Sequence, residues 1–203
     1  MFDTSKPFSV RRNGETIRVR YPSDRQWTDR ARKHPNTRRV MGKSIETEYP
    51  TTYEFDAAIY SALRIEGPES LDGADAARII DALDRCQIED VNPAGAGYEF
   101  VARVFGVDRE QLDGKARTVH TLRMPTQRQV DTFFRDSGRS RIEGKTVIET
   151  FSLDPGGLLY DACVISTIGY AGAVPLNHKA AIAAHLATRA GEDAEVEELD
   201  PEA

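Results

Sequence analysis

Apolar and polar residues alternate on both sides of Asn13-Gly14, with Phe8 and Val10 before it and Ile17, Val19 and Tyr21 after it. Alternation around Asn-Gly predicts a β-hairpin, because a tight type I′ turn needs positive φ at both central residues. A second pair of extended runs, residues 98–105 and 118–124, predicts two more strands joined by a longer connection through Asp113-Gly114. After each pair the period changes from two to that of a helix. Pro22-Ser23-x-x-Gln26 and Pro125-Thr126-x-x-Gln129 both read as capping boxes, in which the hydroxyl accepts from an orphan amide and the Gln reaches back. Helices should therefore begin just after residues 23 and 126. Trp27, Ala31 and His34 keep helical spacing in the first, and Val130, Phe133, Phe134 and Ser137 do so in the second. Further helical patterns cover residues 53–65, 73–87, 156–168 and 176–190.

These elements predict an internal duplication. Residues 16–32 align with 119–135 when Pro22 is set on Pro125, an offset of 103. Residues 39–45 (RVMGKSI) lie over 141–147 (RIEGKTV) at 102, FDAAIY at 55–60 over YDACVI at 160–165 at 105, and 75–83 over 179–187 at 104. The expected fold is α+β, a tandem duplication of a β-hairpin plus three-helix unit. The expected divisions are a first repeat at 1–92, a second at 93–190 and an acidic tail at 191–203, with Asn92-Pro93, Gly95 and Gly97 at the seam.

Composition fits a packed globular chain. Of 203 residues, 39% are hydrophobic and 30% charged, and the mean hydropathy is −0.51. The uncharged run 162–177 carries Gly169, Gly172 and Pro175, and falls short of the roughly 20 apolar residues a membrane span needs. Residues 1–12 contain no apolar core of a signal peptide. Cys86 and Cys163 lie in helical apolar patterns without C-x-x-C spacing, which fits a reducing compartment and leaves one disulfide open.

Charge is segregated. Residues 1–43 hold twelve Lys/Arg against four acids, a net of +8, so the net charge of −6 leaves −14 for the remainder. The last twelve residues contain seven acids and read as a solvated or disordered tail. Arg11, Arg12, Arg18, Arg20, Arg30, Lys33, Arg38 and Arg39 form the candidate binding face. Arg18 and Arg20 point away from Ile17, Val19 and Tyr21 on one strand. The face suits an acidic protein surface, the chain's own tail included. Phosphates are the alternative.

Catalytic readings are weaker. Gly42-Lys43-Ser44 and Gly144-Lys145-Thr146 lack the leading Gly of a phosphate loop, since Thr37 and Arg139 stand in its place, and both follow a helix. They read as a shared turn. His34, His120, His178 and His185 show no metal-ligand spacing and are expected half-buried or at the surface. No nucleophile elbow occurs. The expectation is no catalytic residues, no metal and no cofactor.

The residues Asn13, Gly14, Ile17, Val19, Pro22, Ser23 and Gln26, with the matching strand and Pro125-Thr126-x-x-Gln129 of the second copy, resemble the opening of phage tail assembly chaperones. The resemblance covers about 20 residues in each copy, and the duplication departs from that family's single-domain form. It implies a non-enzymatic assembly factor or virion protein, in the host cytoplasm or the particle, that binds other phage proteins. A homo-oligomer is a separate expectation. A nucleic-acid-associated accessory protein using the basic face is the alternative.

Overall fold

A computed structural model describes residues 1–12, 14–33, 36–41, 44–48, 52–104 and 117–198. The fold is mixed α+β. Strands β1 (Phe8–Arg12) and β2 (Glu15–Val19) lead to α1 (Asp24–Lys33), then β3 (Asn36–Met41), β4 (Ser44–Glu48), α2 (Tyr53–Leu63), β5 (Arg64–Glu66) and α3 (Gly73–Asp84). Strand β6 (Cys86–Pro93) follows. Then come β7 (Gly97–Val104), β8 (Arg117–Arg123), α4 (Gln127–Ser137), β9 (Gly138–Glu143), β10 (Thr146–Phe151), α5 (Asp154–Cys163), β11 (Val164–Ile168) and α6 (Leu176–Glu198). From β1 and again from β7 the order is β-β-α-β-β-α-β-α.

Three sheets form among the described residues. The order β1-β2-β5 in the first half matches β7-β8-β11 in the second, which gains β6 on its β7 edge. The third sheet, β4-β3-β10-β9, takes one hairpin from each half, with β3 and β10 antiparallel at the junction. One apolar core lies under each half. The first gathers Trp27, Tyr60, Ile80 and Leu83, and the second Phe100, Leu122, Ile182 and Leu186.

Local chemistry sets the helix starts where the caps predict them. The Ser23 hydroxyl accepts from the Gln26 amide at 3.3 Å, and Gln26 Oε1 accepts from the Ser23 amide at 2.9 Å. Thr126 and Gln129 repeat both bonds. Gly14, with φ +83°, turns β1 into β2, while Asn13 and the Asp113-Gly114 connection lie outside the described residues.

Several expectations are corrected. Each half contains a second hairpin, β3–β4 or β9–β10, and a short strand after its middle helix, so the unit is richer than one hairpin and three helices. Gly144-Lys145 forms the β9–β10 turn, as a shared turn requires. Gly42 and Lys43 lie outside the described residues. The offset of 105 is a misalignment. Arg64 and Val164 are both extended helix ends donating to the carbonyls of Tyr60 and Tyr160, which places those buried tyrosines in correspondence at 100. The last helices correspond at 103, where Ile79, Ile80 and Leu83 match Ile182, Ala183 and Leu186 in burial. The helix expected over 156–168 ends at Cys163, and Cys86 opens β6 instead of closing α3. Because β6 pairs with β7, residues 86–92 sit in the second sheet despite preceding the expected seam. The acidic tail is not wholly outside the fold, since α6 runs on through its Glu-rich sequence to Glu198. Residues 199–203 lie outside the described part.

Candidate functional site

The basic face starts on β2. Ile17 and Val19 are buried in the first core, as is Tyr21 just beyond, and strand alternation sends Arg18 and Arg20 to solvent. Arg18 pairs with Glu66 of β5 at 3.6 Å. Its described ion pair is therefore to a neighbouring strand and not to the acidic tail. Lys33 is exposed at the end of α1, where its ammonium lies 4.5 Å from the centre of the Phe55 ring. Arg39 is exposed on β3. Arg11 and Arg12 lie on β1 and Arg38 on β3, but their side chains are outside the described set.

Arg30 does not join that face. Its guanidinium donates to Asp56 at 2.8 and 3.1 Å and also to Asp81 and Asp84. The Asp56 carboxylate is fully buried and takes a further bond from the Thr52 hydroxyl. Burial alone would lower the Arg30 pKa, but bonding and attraction to Asp56 and Asp81 outweigh it and raise the value. Three carboxylates need a cation here, so Arg30 turns inward.

A buried polar chain runs on from this cluster through the contact between the halves. Asp84 accepts from the Asn177 amide nitrogen at 2.9 Å, and the Tyr21 hydroxyl donates to Asn177 Oδ1 at 3.0 Å. That oxygen remains the only acceptor on the amide, which fixes its orientation. Having spent its proton, Tyr21 accepts from His178 Nε2 at 3.3 Å. His178 Nδ1 then accepts from the Tyr170 hydroxyl at 3.1 Å, and Tyr170 in turn faces His120 Nε2 at 3.3 Å. His120 Nε2 also lies 3.1 Å from the Thr118 hydroxyl, while its Nδ1 accepts from Tyr160 at 2.7 Å. One proton arrangement satisfies every member, with both histidines neutral and protonated at Nε2. Burial pulls the His120 pKa down to about 4. Burial, then the nearby His120, takes His178 down to about 3.

Both histidines are completely buried, contrary to the half-buried or surface expectation. Strand alternation on β8 puts Thr118, His120 and Leu122 inward together, and the sequence leaves that face ambiguous because Val119 competes for it. His185 is exposed, and His34 lies outside the described residues.

Beside this chain, α1, α4 and α6 enclose a cleft of about 560 Å³ lined by Trp27, Arg30, Asp84, Cys86, Phe133 and Asn177. Burial pushes the Cys86 thiol up to about 12, with Asp84 adding to the shift, so it is held protonated and poorly nucleophilic. Cys163 is buried and Cys86 partly so, and both are free thiols. Among the described residues no group of three His, Cys, Asp or Glu is placed to hold a metal ion, and no helix is long and apolar enough to cross a membrane.

Most of the exposed large apolar side chains among the described residues belong to the second half of the chain. Ile165 and Ile168 are 65% and 66% exposed on β11, an edge strand, and Leu158 is exposed on α5. No protein-family model, no curated protein and no solved structure matches this chain.

Proposed function

We propose that this chain is a non-catalytic assembly or structural protein of the tailed-phage kind, similar to a tail assembly chaperone, working through protein–protein contacts in the host cytoplasm or the virion. The observation that carries the reading is the β11 edge. Its outer backbone bonds have no strand partner among the described residues, and Ile165 and Ile168 stand beside them in solvent. An exposed apolar edge favours a strand or apolar face of another protein, because pairing removes both the unmet backbone groups and the wetted side chains. The two capped strand-to-helix junctions, at Pro22-Ser23 and Pro125-Thr126, support the family resemblance.

The second reading, a nucleic-acid-associated accessory protein, rests on the exposed Arg18, Arg20, Lys33 and Arg39. It is weakened by the withdrawal of Arg30 into its acidic cluster.

Affinity capture from the native source, with nuclease treatment and mass spectrometry, separates the two. The first reading expects a tail or other virion protein to be retained by wild type, resistant to nuclease, and lost from Ile165→Lys/Ile168→Lys. Nucleic acid retained in a salt-dependent way and lost from Arg18→Glu/Arg20→Glu would replace it with the second.

A further inference from the structure

The hairpins β3–β4 and β9–β10 share one register. Arg39 faces Glu46 in the first and Arg141 faces Ile148 in the second, at a common offset of 102. Within the chain they are joined unequally, as the first strand of one hairpin (β3) pairs with the second strand of the other (β10), with Arg38 opposite Val147. That is a heterologous junction, the kind that repeats indefinitely or closes into a ring. It leaves over the complementary pair of edges, β4 at one end of the sheet and β9 at the other.

We propose that these two edges join, so that the chain assembles head to tail by adding β4 of a second copy to β9 of the first. In this antiparallel ladder the Ser152 amide donates to the Ser137 carbonyl, so alternate positions 137, 139, 141 and 143 bond towards β10. The backbone groups of Ser140 and Ile142 therefore point outward. No strand covers them among the described residues, all of β9 is exposed, and Ile142 is 76% exposed.

Repeating the internal register at the new junction sets Ser44 of the second copy opposite Arg141, Ile45 opposite Ser140 and Glu46 opposite Arg139. Charge favours this pairing over its rivals. Two β9 edges would bring Arg139 and Arg141 together, and two β4 edges would bring Glu46 and Glu48 together. The unlike edges set Glu46 against Arg139 with no like-charge pair directly opposed. The proposal goes beyond the proposed function and does not depend on it, because β11 takes no part in the junction.

The test is solution mass by light scattering across a concentration series, using the full chain. Ser140→Pro and Ile45→Pro each remove one outward N–H and spare the bonds inside their own hairpin. Wild type should form higher oligomers. Each single variant, with its circular dichroism and melt preserved, should be monomeric. Because each retains the edge the other has lost, their equimolar mixture should form a dimer and stop there. A backbone-neutral pair completes the set, in which Glu46→Arg weakens association and Glu46→Arg/Arg139→Glu restores it. A monomeric wild type at every concentration, homodimers of either proline variant, a mixture that stays monomeric, or a charge reversal without effect would overturn the proposal.

Discussion

The Tyr21 hydroxyl accepts a hydrogen bond from His178 Nε2 across 3.3 Å, although the two residues lie 157 positions apart and in different halves of the chain. Tyr21 lies between β2 and α1, two residues beyond the end of the strand, and His178 sits in the first turn of α6. Phe2 packs on both rings, with centroids 5.4 Å from Tyr21 and 4.9 Å from His178. The contact between the halves is thus made of aromatic area and a fully bonded polar chain, which fixes one arrangement of the halves more firmly than apolar area alone.

Tyr21→Phe keeps the ring and removes the hydroxyl. Asn177 Oδ1 then loses its donor and the buried His178 N–H its acceptor. The expected loss is about 1–3 kcal/mol by denaturant unfolding. A variant as stable as wild type would show that the chain is not bonded as described.

Acid should unfold this protein through its histidines. The folded pKa values, about 4 for His120 and about 3 for His178, lie below the ordinary 6.5, so the unfolded chain binds protons first as pH falls. Their contribution is complete above pH 6.5 and is lost on descending towards pH 4 for His120 and pH 3 for His178, at up to about 1.4 kcal/mol per pH unit for each group. Unfolding free energy measured from pH 7.5 to 4.5 should fall more steeply in wild type than in His178→Gln. Parallel curves would contradict the neutral buried assignment.

Removing Arg30 strands a buried carboxylate. Arg30→Met should cost about 3–5 kcal/mol, because Asp56 keeps only the Thr52 hydroxyl in place of a cation. Adding Asp56→Asn should recover part of that loss. If the double variant is less stable than wild type by the sum of the two single losses, Arg30 and Asp56 act independently and the ion pair carries no coupling.

Ser23→Ala and Thr126→Ala each delete one amide acceptor at a helix start. Thermal melts should register about 0.5–2 kcal/mol for each.

Those caps were legible in the sequence because a cap is local chemistry, complete within four residues. The hairpin around Gly14 was legible for the same reason. Strands β3, β4, β9 and β10 were not. β9 is wholly exposed and β10 only half-buried, so alternation carries little signal there, and β3 is held in part by β10 from more than a hundred positions away. The ends of α2 and α5 were hidden too, since neither Leu63-Arg64-Ile65 nor Cys163-Val164-Ile165 contains a Gly or Pro to mark the stop. Of the candidate basic face, Arg18 and Arg20 followed from period-two alternation. Arg30 did not, since its neighbours Asp56, Asp81 and Asp84 come from α2 and α3.

Hydrogen exchange on the purified protein bound to its captured partner decides whether β11 is the docking edge, because it reports which backbone amides a partner covers. Protein–protein docking at the β11 edge predicts slowed exchange in Val164–Ile168, unchanged by nuclease and absent in Ile165→Lys/Ile168→Lys. Unchanged exchange on β11, with protection confined to the strand bearing Arg18 and Arg20 and abolished by nuclease, would contradict it.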